Sequence, residues 1–275
     1  MGYLFYIFTK SFVEQEGKLG KIKFLGTAGA RVVMIRQLRS SGGMWFSLND
    51  TNILIDPGPG SLVRCARSRP RLDPTKLDAI ILTHKHLDHS GDINVMIEAM
   101  TEGGFKKRGA LFVPQDALEG EDAVIFHYLR DFPERIEILK EKTTYSLKDI
   151  SFTTPVRHEH GVETYGLNIN FKGLSVSLIT DTRYFEGLER HYPGKIIIIN
   201  VVRFKPREDV DHLSLKDAEK IINFNKPKLA ILTHFGMTML QKKPWEVAQN
   251  LQKKLGTEVI AASDGMEINL DEYAE

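Results

Sequence analysis

Thr83-His84-Lys85-His86-Leu87-Asp88-His89-Ser90-Gly91-Asp92 is the stretch on which the reading of this chain turns. It follows Leu77-Asp78-Ala79-Ile80-Ile81-Leu82, whose apolar, β-branched character reads as a buried strand. Three histidines and a carboxylate thus leave a strand end together on a loop closed by Gly91, and Asp92 stands where it would cap the next helix. In an extended backbone His84 and His86 lie two apart and point the same way, so both can hold one ion. Asp88 and His89 come after the bend and can turn toward a second. A polar turn has no reason to gather three of the chain's nine histidines within six residues. Metal binding does.

Outward from this loop the chain alternates strands and helices. Upstream, Lys21 to Gly26 reads as a first strand and Gly26-Thr27-Ala28-Gly29 as a hairpin turn, with Arg31 to Leu38 and Met44 to Leu48 as further strands of a meander. Asn52-Ile53-Leu54-Ile55-Asp56 is a buried strand ending in a carboxylate beside a Pro-Gly turn, and Ser61 to Ser68 is a short helix. Downstream, Asp92 to Thr101 is helical, with Ile93, Met96, Ile97 and Met100 on a core-facing side. Ala110 to Val113 and Ile136 to Leu139 read as strands, Glu121 to Arg130 as a helix, and Lys106-Lys107-Arg108 as a solvated turn. Ile150 to His160 alternates like a strand, so His158 and His160 would share a face and spacing does not choose between them. Leu174 to Thr180 is a buried strand ending at Asp181, and Lys195 to Asn200 another. Asp211-His212-Leu213-Ser214 opens a helix reaching about Asn225, capped by Ser214 or Asp211. Leu229 to Thr233 is a strand ending in His234, Pro244 to Leu255 a helix, and Glu258 to Ile260 and Met266 to Leu270 closing strands.

His84-x-His86-x-Asp88-His89 resembles the signature of the metallo-β-lactamase superfamily, and the later strand ends supply its other motifs in order. The resemblance implies a four-layer αβ/βα sandwich, an α/β (α+β) fold with helices on both outer faces. It implies one ion on His84, His86 and His160, a second on Asp88, His89 and His234, and Asp181 between them. Asp56 resembles the first motif, whose aspartate braces the metal loop rather than binding metal. In the phosphodiesterase branches the third-motif histidine precedes an aromatic-Gly pair, and here Tyr165-Gly166 favours His160, with His158 the fallback. Imidazole and carboxylate donors without thiolate suit Zn²⁺ best, then Mn²⁺ or Fe²⁺. His86 stands where the redox di-iron branch carries a carboxylate, which implies a hydrolytic centre with a hydroxide shared by two ions as nucleophile. The pattern His212-x-Ser214-x-x-Asp217-Ala218 resembles the ribonuclease Z and cyclic phosphodiesterase branches, where that histidine contacts the scissile phosphate. Asp88, Asp181 and His212 are then the catalytic residues, with backbone amides at the helix start available to a phosphate oxygen. Ribonuclease Z inserts a long arm between its third and fourth motifs, whereas His160 and Asp181 here lie too close for one.

The whole chain sets bounds on these readings. Its 275 residues suffice for one large α/β domain, expected over residues 21–275. Residues 1–20 read as an extension in which Tyr3 to Phe8 packs on the domain, or else makes a homodimer contact. That apolar run is too short to span a bilayer and lacks signal-peptide flanks, and Tyr6 breaks a myristoylation pattern. No membrane association is expected. The net charge of +1 argues against a large RNA, and with the arm missing the resemblance then implies a small or cyclic phosphodiester or nucleotide as substrate. The single cysteine, Cys65, fits a buried structural thiol in a reducing cytoplasm. A transfer-RNA 3′ endonuclease without the arm, a thioesterase or lactonase of the same fold, and a non-catalytic binding module are the competing readings.

Overall fold

The computed structural model describes residues 19–274, so the readings of Tyr3 to Phe8 lie outside the described residues. Two seven-stranded sheets face each other. The first takes β1 (Gly20–Phe24), β2 (Met44–Leu48), β3 (Thr51–Ile55), β4 (Ala79–Ile81), β5 (Ala110–Val113) and β6 (Arg135–Ile138). The second takes β7 (Thr143–Leu147), β8 (Ile150–Thr154), β9 (Leu167–Phe171), β10 (Leu174–Ile179), β11 (Ile196–Asn200), β12 (Leu229–Thr233) and β13 (Glu258–Ala261). The chain then returns to the first sheet, where β14 (Glu267–Asn269) pairs antiparallel with β1. The spatial orders are β14-β1-β2-β3-β4-β5-β6 and β13-β12-β11-β10-β9-β8-β7. In each sheet four neighbouring strands run parallel, β3 to β6 and β10 to β13.

The inner parallel strands β4, β5, β11 and β12 are almost wholly apolar and buried because both of their faces are covered. Ile196 and Ile198 of β11 and Leu229 and Ile231 of β12 enter the core between the sheets. Their alternates Ile197, Ile199, Ala230 and Leu232 pack under α5 (Leu215–Asn225) and α7 (Pro244–Leu255). On the other side Ile80 of β4 meets α2 (Ser61–Arg67) and α4 (Ile93–Met100), through Cys65, Ile93, Met96, Ile97 and Met100. The order of layers is helix, sheet, sheet, helix, as the resemblance implied. Burial, then the charge of Asp92, pushes the Cys65 thiol up to about 12, in keeping with a structural role.

Five expectations need correcting. Residues 30–35 form a helix, α1 (Ala30–Ile35), not a strand. Both edges of β1 are already taken by β2 and β14, and Ala28 pairs with Phe235 across the rim, so Gly26 to Gly29 is no hairpin and the next segment has no strand to join. Glu121 to Arg130 is turns and one 3-10 turn, His127–Leu129. Asn94 clamps it, donating to the Val124 carbonyl at 2.8 Å and accepting from the Phe126 amide at 3.0 Å. The strand expected to reach His160 stops at Thr154, and the His158 amide donates across a loop to the Thr164 carbonyl. Asp92 does not cap its own helix; it accepts from the Leu62 amide at 3.0 Å and so ties α2 to α4.

Candidate metal centre

The carboxyl ends of β3, β4, β10 and β12 open onto one rim, the place where open parallel sheets hold their ligands. After β4 the chain passes Thr83 to His86 and enters a single helical turn, α3 (Leu87–Ser90), so Asp88 and His89 face back toward His84. β10 delivers Asp181 and β12 delivers His234 from the opposing sheet. Asp56 and His234, each following its strand, have φ of 54° and 57°. Non-glycine residues adopt that left-handed region only when their surroundings hold them there.

Two groups of ligand atoms result: His84, His86 and His160, and beside them Asp88, His89, Asp181 and His234. His160 Nε2 lies 3.0 Å from His86 Nδ1, and His89 Nε2 lies 3.3 Å from His234 Nε2. Asp181 Oδ2 sits between the groups, 3.3 Å from His234 Nε2, 3.4 Å from His89 Nε2 and 3.8 Å from His84 Nε2. Asp88 Oδ2 is 3.5 Å from His234 Nε2.

In His84, His89 and His160 the nitrogen turned away from this centre is held by a fixed acceptor, which sets the tautomer. Thr83 Oγ1 donates to Asp56 Oδ2 at 2.8 Å, so the hydroxyl accepts from His84 Nδ1 at 3.1 Å. Asp56 Oδ2 also accepts from His89 Nδ1 at 2.9 Å. The Asp211 carbonyl accepts from His160 Nδ1 at 2.9 Å. In their neutral forms His84, His89 and His160 therefore each present the Nε2 lone pair to the centre. Burial, and then neighbouring histidines, hold His84 well below the ordinary imidazole range and His86 at about 4. For His89 burial is outweighed by Asp88, Asp56 and Asp181, which hold it well above. Burial opposes the charge on Asp181, but His234 and His212 keep its carboxyl well below the usual range.

These residues fit divalent metal. His84 Nε2 is buried without a hydrogen-bond partner, a cost that a coordinated ion would remove. The facing nitrogens of His86 and His160, and of His89 and His234, are close enough to share one cation in each pair. Imidazole and carboxylate donors suit zinc-type ions. A third grouping, Asp56 with His84 and His89, is also close enough to be considered. Both Asp56 oxygens are already taken, Oδ1 by the Thr83 amide at 2.7 Å and Oδ2 by Thr83 and His89.

His158 is turned into the protein. Its Nε2 meets the Tyr192 hydroxyl at 2.5 Å and its Nδ1 the Asp181 carbonyl at 3.2 Å, so neither nitrogen reaches the centre. Burial holds it at about 3, a neutral brace under the Asp181 loop. Asn200 has a role that the sequence reading missed. At the end of β11, next to Asp181, its Nδ2 donates to Asp181 Oδ1 at 2.9 Å and leaves Oδ2 for the centre. A polar residue closing a run of isoleucines was the available signal.

His212 stands on the same rim. Its Nδ1 is 3.6 Å from Asp181 Oδ2, its ring centre 5.2 Å from that of His160, and that nitrogen too is buried without a hydrogen-bond partner. Burial foremost lowers its pKa. The Ser214, Leu215 and Asp217 amides at the start of α5 are spent internally. Ser214 N donates to Asp217 Oδ2 at 2.8 Å, Leu215 N to the Arg203 carbonyl at 2.9 Å, and Ser214 with Asp217 closes a capping box. Those three amides are not available to a phosphate oxygen as expected from the helix start. Arg207 pairs with Asp209 at 2.5 Å and Arg183 with Asp211, the residue whose carbonyl holds His160.

A match to the beta-lactamase superfamily domain covers residues 51–235 and so carries the rim residues from Asp56 to His234. The chain belongs to the beta-lactamase superfamily. The uncharacterized protein MJ1374 of Methanocaldococcus jannaschii is 30% identical over 258 residues, 91% of this chain and 95% of that one. The probable metallo-hydrolase YhfI of Bacillus subtilis is 24% identical over 200 residues, 71% of this chain and 80% of that one. The crystal structure of YhfI superposes with a TM-score of 0.75 at 18% identity, covering 90% of this chain and 98% of that one. A diphosphatase from the PhnP family superposes with a TM-score of 0.66 at 20% identity, over 90% and 96%. The protein is a metal-dependent hydrolase of the metallo-β-lactamase fold.

Proposed function

We propose that this superfamily member is a dinuclear phosphodiesterase acting on a small or cyclic phosphodiester or nucleotide. His84, His86 and His160 would hold one divalent ion, zinc best, and Asp88, His89 and His234 the other, with Asp181 shared. Such a pair supplies a nucleophile from water at neutral pH and neutralises charge developing on phosphate oxygens. Asp56 and Thr83 fix the lone pairs of His84 and His89, and Asn200 aims Asp181.

The observation that carries the phosphodiester reading is His212. It is neither in the first ligand group nor in the second, yet its unpartnered Nδ1 faces Asp181 Oδ2 at 3.6 Å. A side chain so placed can bond a phosphoryl oxygen and pass a proton to the departing one. Residues 161–180 add only the β9–β10 hairpin, joined at Lys172-Gly173, so nothing there could grip a large RNA. The diphosphatase likeness supports phosphate chemistry on this fold.

The test is hydrolysis of bis-p-nitrophenyl phosphate beside a thioester and a lactone, with and without Zn²⁺ or Mn²⁺. The phosphodiester should be hydrolysed, and His212→Ala should keep its metal while losing roughly 10²–10⁴-fold in kcat. The loss should be larger for alkyl than for p-nitrophenyl leaving groups, because p-nitrophenolate departs without a proton. A variant as fast as the parent on both would replace this reading with thioester or lactone hydrolysis.

A further inference from the structure

The helices beside the catalytic rim carry a surface that hydrolysis leaves unused. α1 starts two residues after Ala28, which pairs with Phe235, and it packs against α3, which carries Asp88 and His89. The start of α2 is fastened to the same place. Leu62 N is bonded to Asp92, and Gly91 lies so close to Pro59 that an added Cβ would meet Pro59 Cγ at 2.5 Å. Across these three short helices and the turn after α1, Val32, Ile35, Leu38, Leu62, Val63 and Leu87 are exposed, Ile35 at 72% and Leu87 at 68%. All six are aliphatic.

Arginine is interleaved with them. Arg31 and Arg36 flank the exposed positions of α1, and Arg64 and Arg67 those of α2, all exposed. None of these four has an ion pair among the described residues, whereas Arg135, Arg183 and Arg207 elsewhere do. Residues 29–72 contain only two carboxylates, Asp50 and Asp56, and Asp56 is buried. Arg64, Arg67 and Arg69 also line a groove with the nearly buried Lys23. The net charge of +1 thus hides a strong local excess.

We propose that this rim docks the protein, by contact without insertion of a span, onto an anionic phospholipid surface. No helix among the described residues is long and apolar enough to cross a membrane. Aliphatic side chains set among unpaired arginines are the composition of an interfacial surface: the chains enter the headgroup layer and the guanidinium groups meet lipid phosphates. A second copy is disfavoured because a two-fold contact would set arginine against arginine. Single-stranded RNA would match the charge, but it is bound by aromatic stacking, and the exposed residues here are aliphatic.

The experiment is co-sedimentation of the full chain with phosphatidylcholine vesicles with and without roughly 30% phosphatidylglycerol. The readout needs no turnover, so it stands or falls apart from the phosphodiesterase reading. The protein should pellet with the anionic vesicles only, and less as salt rises. The pairs Ile35→Ser with Leu62→Ser and Arg64→Gln with Arg67→Gln should each lower partitioning roughly tenfold. Both should keep their metal content and their rate on bis-p-nitrophenyl phosphate. Absence of pelleting, pelleting unchanged in both pairs, or tighter retention of an oligouridylate that these pairs abolish would overturn the proposal.

Discussion

Asp56 is a carboxylate that touches no convergent ligand atom, yet it sets two of them. Through Thr83 it fixes His84, and directly it fixes His89, so one residue orients a histidine of each group. Asn200 does the same for Asp181. Removing such a supporting bond typically costs 10–100-fold in metal affinity. Asn200→Ala should therefore lose metal to a chelator that leaves the parent loaded, as elemental analysis after dialysis would read. Parental metal retention would show that Asp181 needs no aiming. His160→Ala should lose more metal than His158→Ala, because His158 is spent on Tyr192 and the Asp181 carbonyl; the reverse order would reassign the third histidine. The acids and histidines at strand ends were legible because few turns concentrate such residues. Asn200 was not, because asparagine after a strand is also a common turn former, and only the pairing of β10 with β11 puts it beside Asp181.

At the scale of elements, legibility followed burial on both faces. β4 is apolar at every position, and β11 and β12 are apolar up to their last residues Asn200 and Thr233, because a sheet covers one face and helices the other, so their runs could be read without a partner. α1 was not legible, since Val32, Val33 and Ile35 favour strand locally and only the occupied edges of β1 exclude it. Helix α5 was legible from its start, where Ser214 and Asp217 form the box that caps it. Asp217→Ala removes the acceptor from Ser214 N and should cost about 1 kcal/mol. Urea unfolding should show it as a lower midpoint at unchanged slope. A midpoint equal to the parent's would mean that α5 is held by packing alone.

At the scale of the molecule, the two leaves each bring part of the centre, His84 to His89 from the first and Asp181 and His234 from the second. Ligands from both should make metal binding stabilise the fold, by about 2.7 kcal/mol when free ion is at a hundred times its dissociation constant. Thermal unfolding with and without chelator measures this, and equal midpoints would argue that the leaves close without the ions.

The return of β14 to pair with β1 has its own consequence. Lys21 lies opposite Asn269, and Leu19 N donates to Asp271 Oδ1 at 2.5 Å, so the path through residues 19–271 comes back to its own beginning. Topologically this is a ring cut at an arbitrary place. We propose that residues 21–275 fold as one unit, in which case the cut can be moved. A circular permutant joining residue 274 to Leu19 by a short glycine-serine linker, with new ends between the exposed Lys106 and Lys107, should fold and bind metal like the parent. If it aggregates, while the same break in the unpermuted chain is tolerated, the residues before Leu19 belong to the fold and the ring is not closed without them.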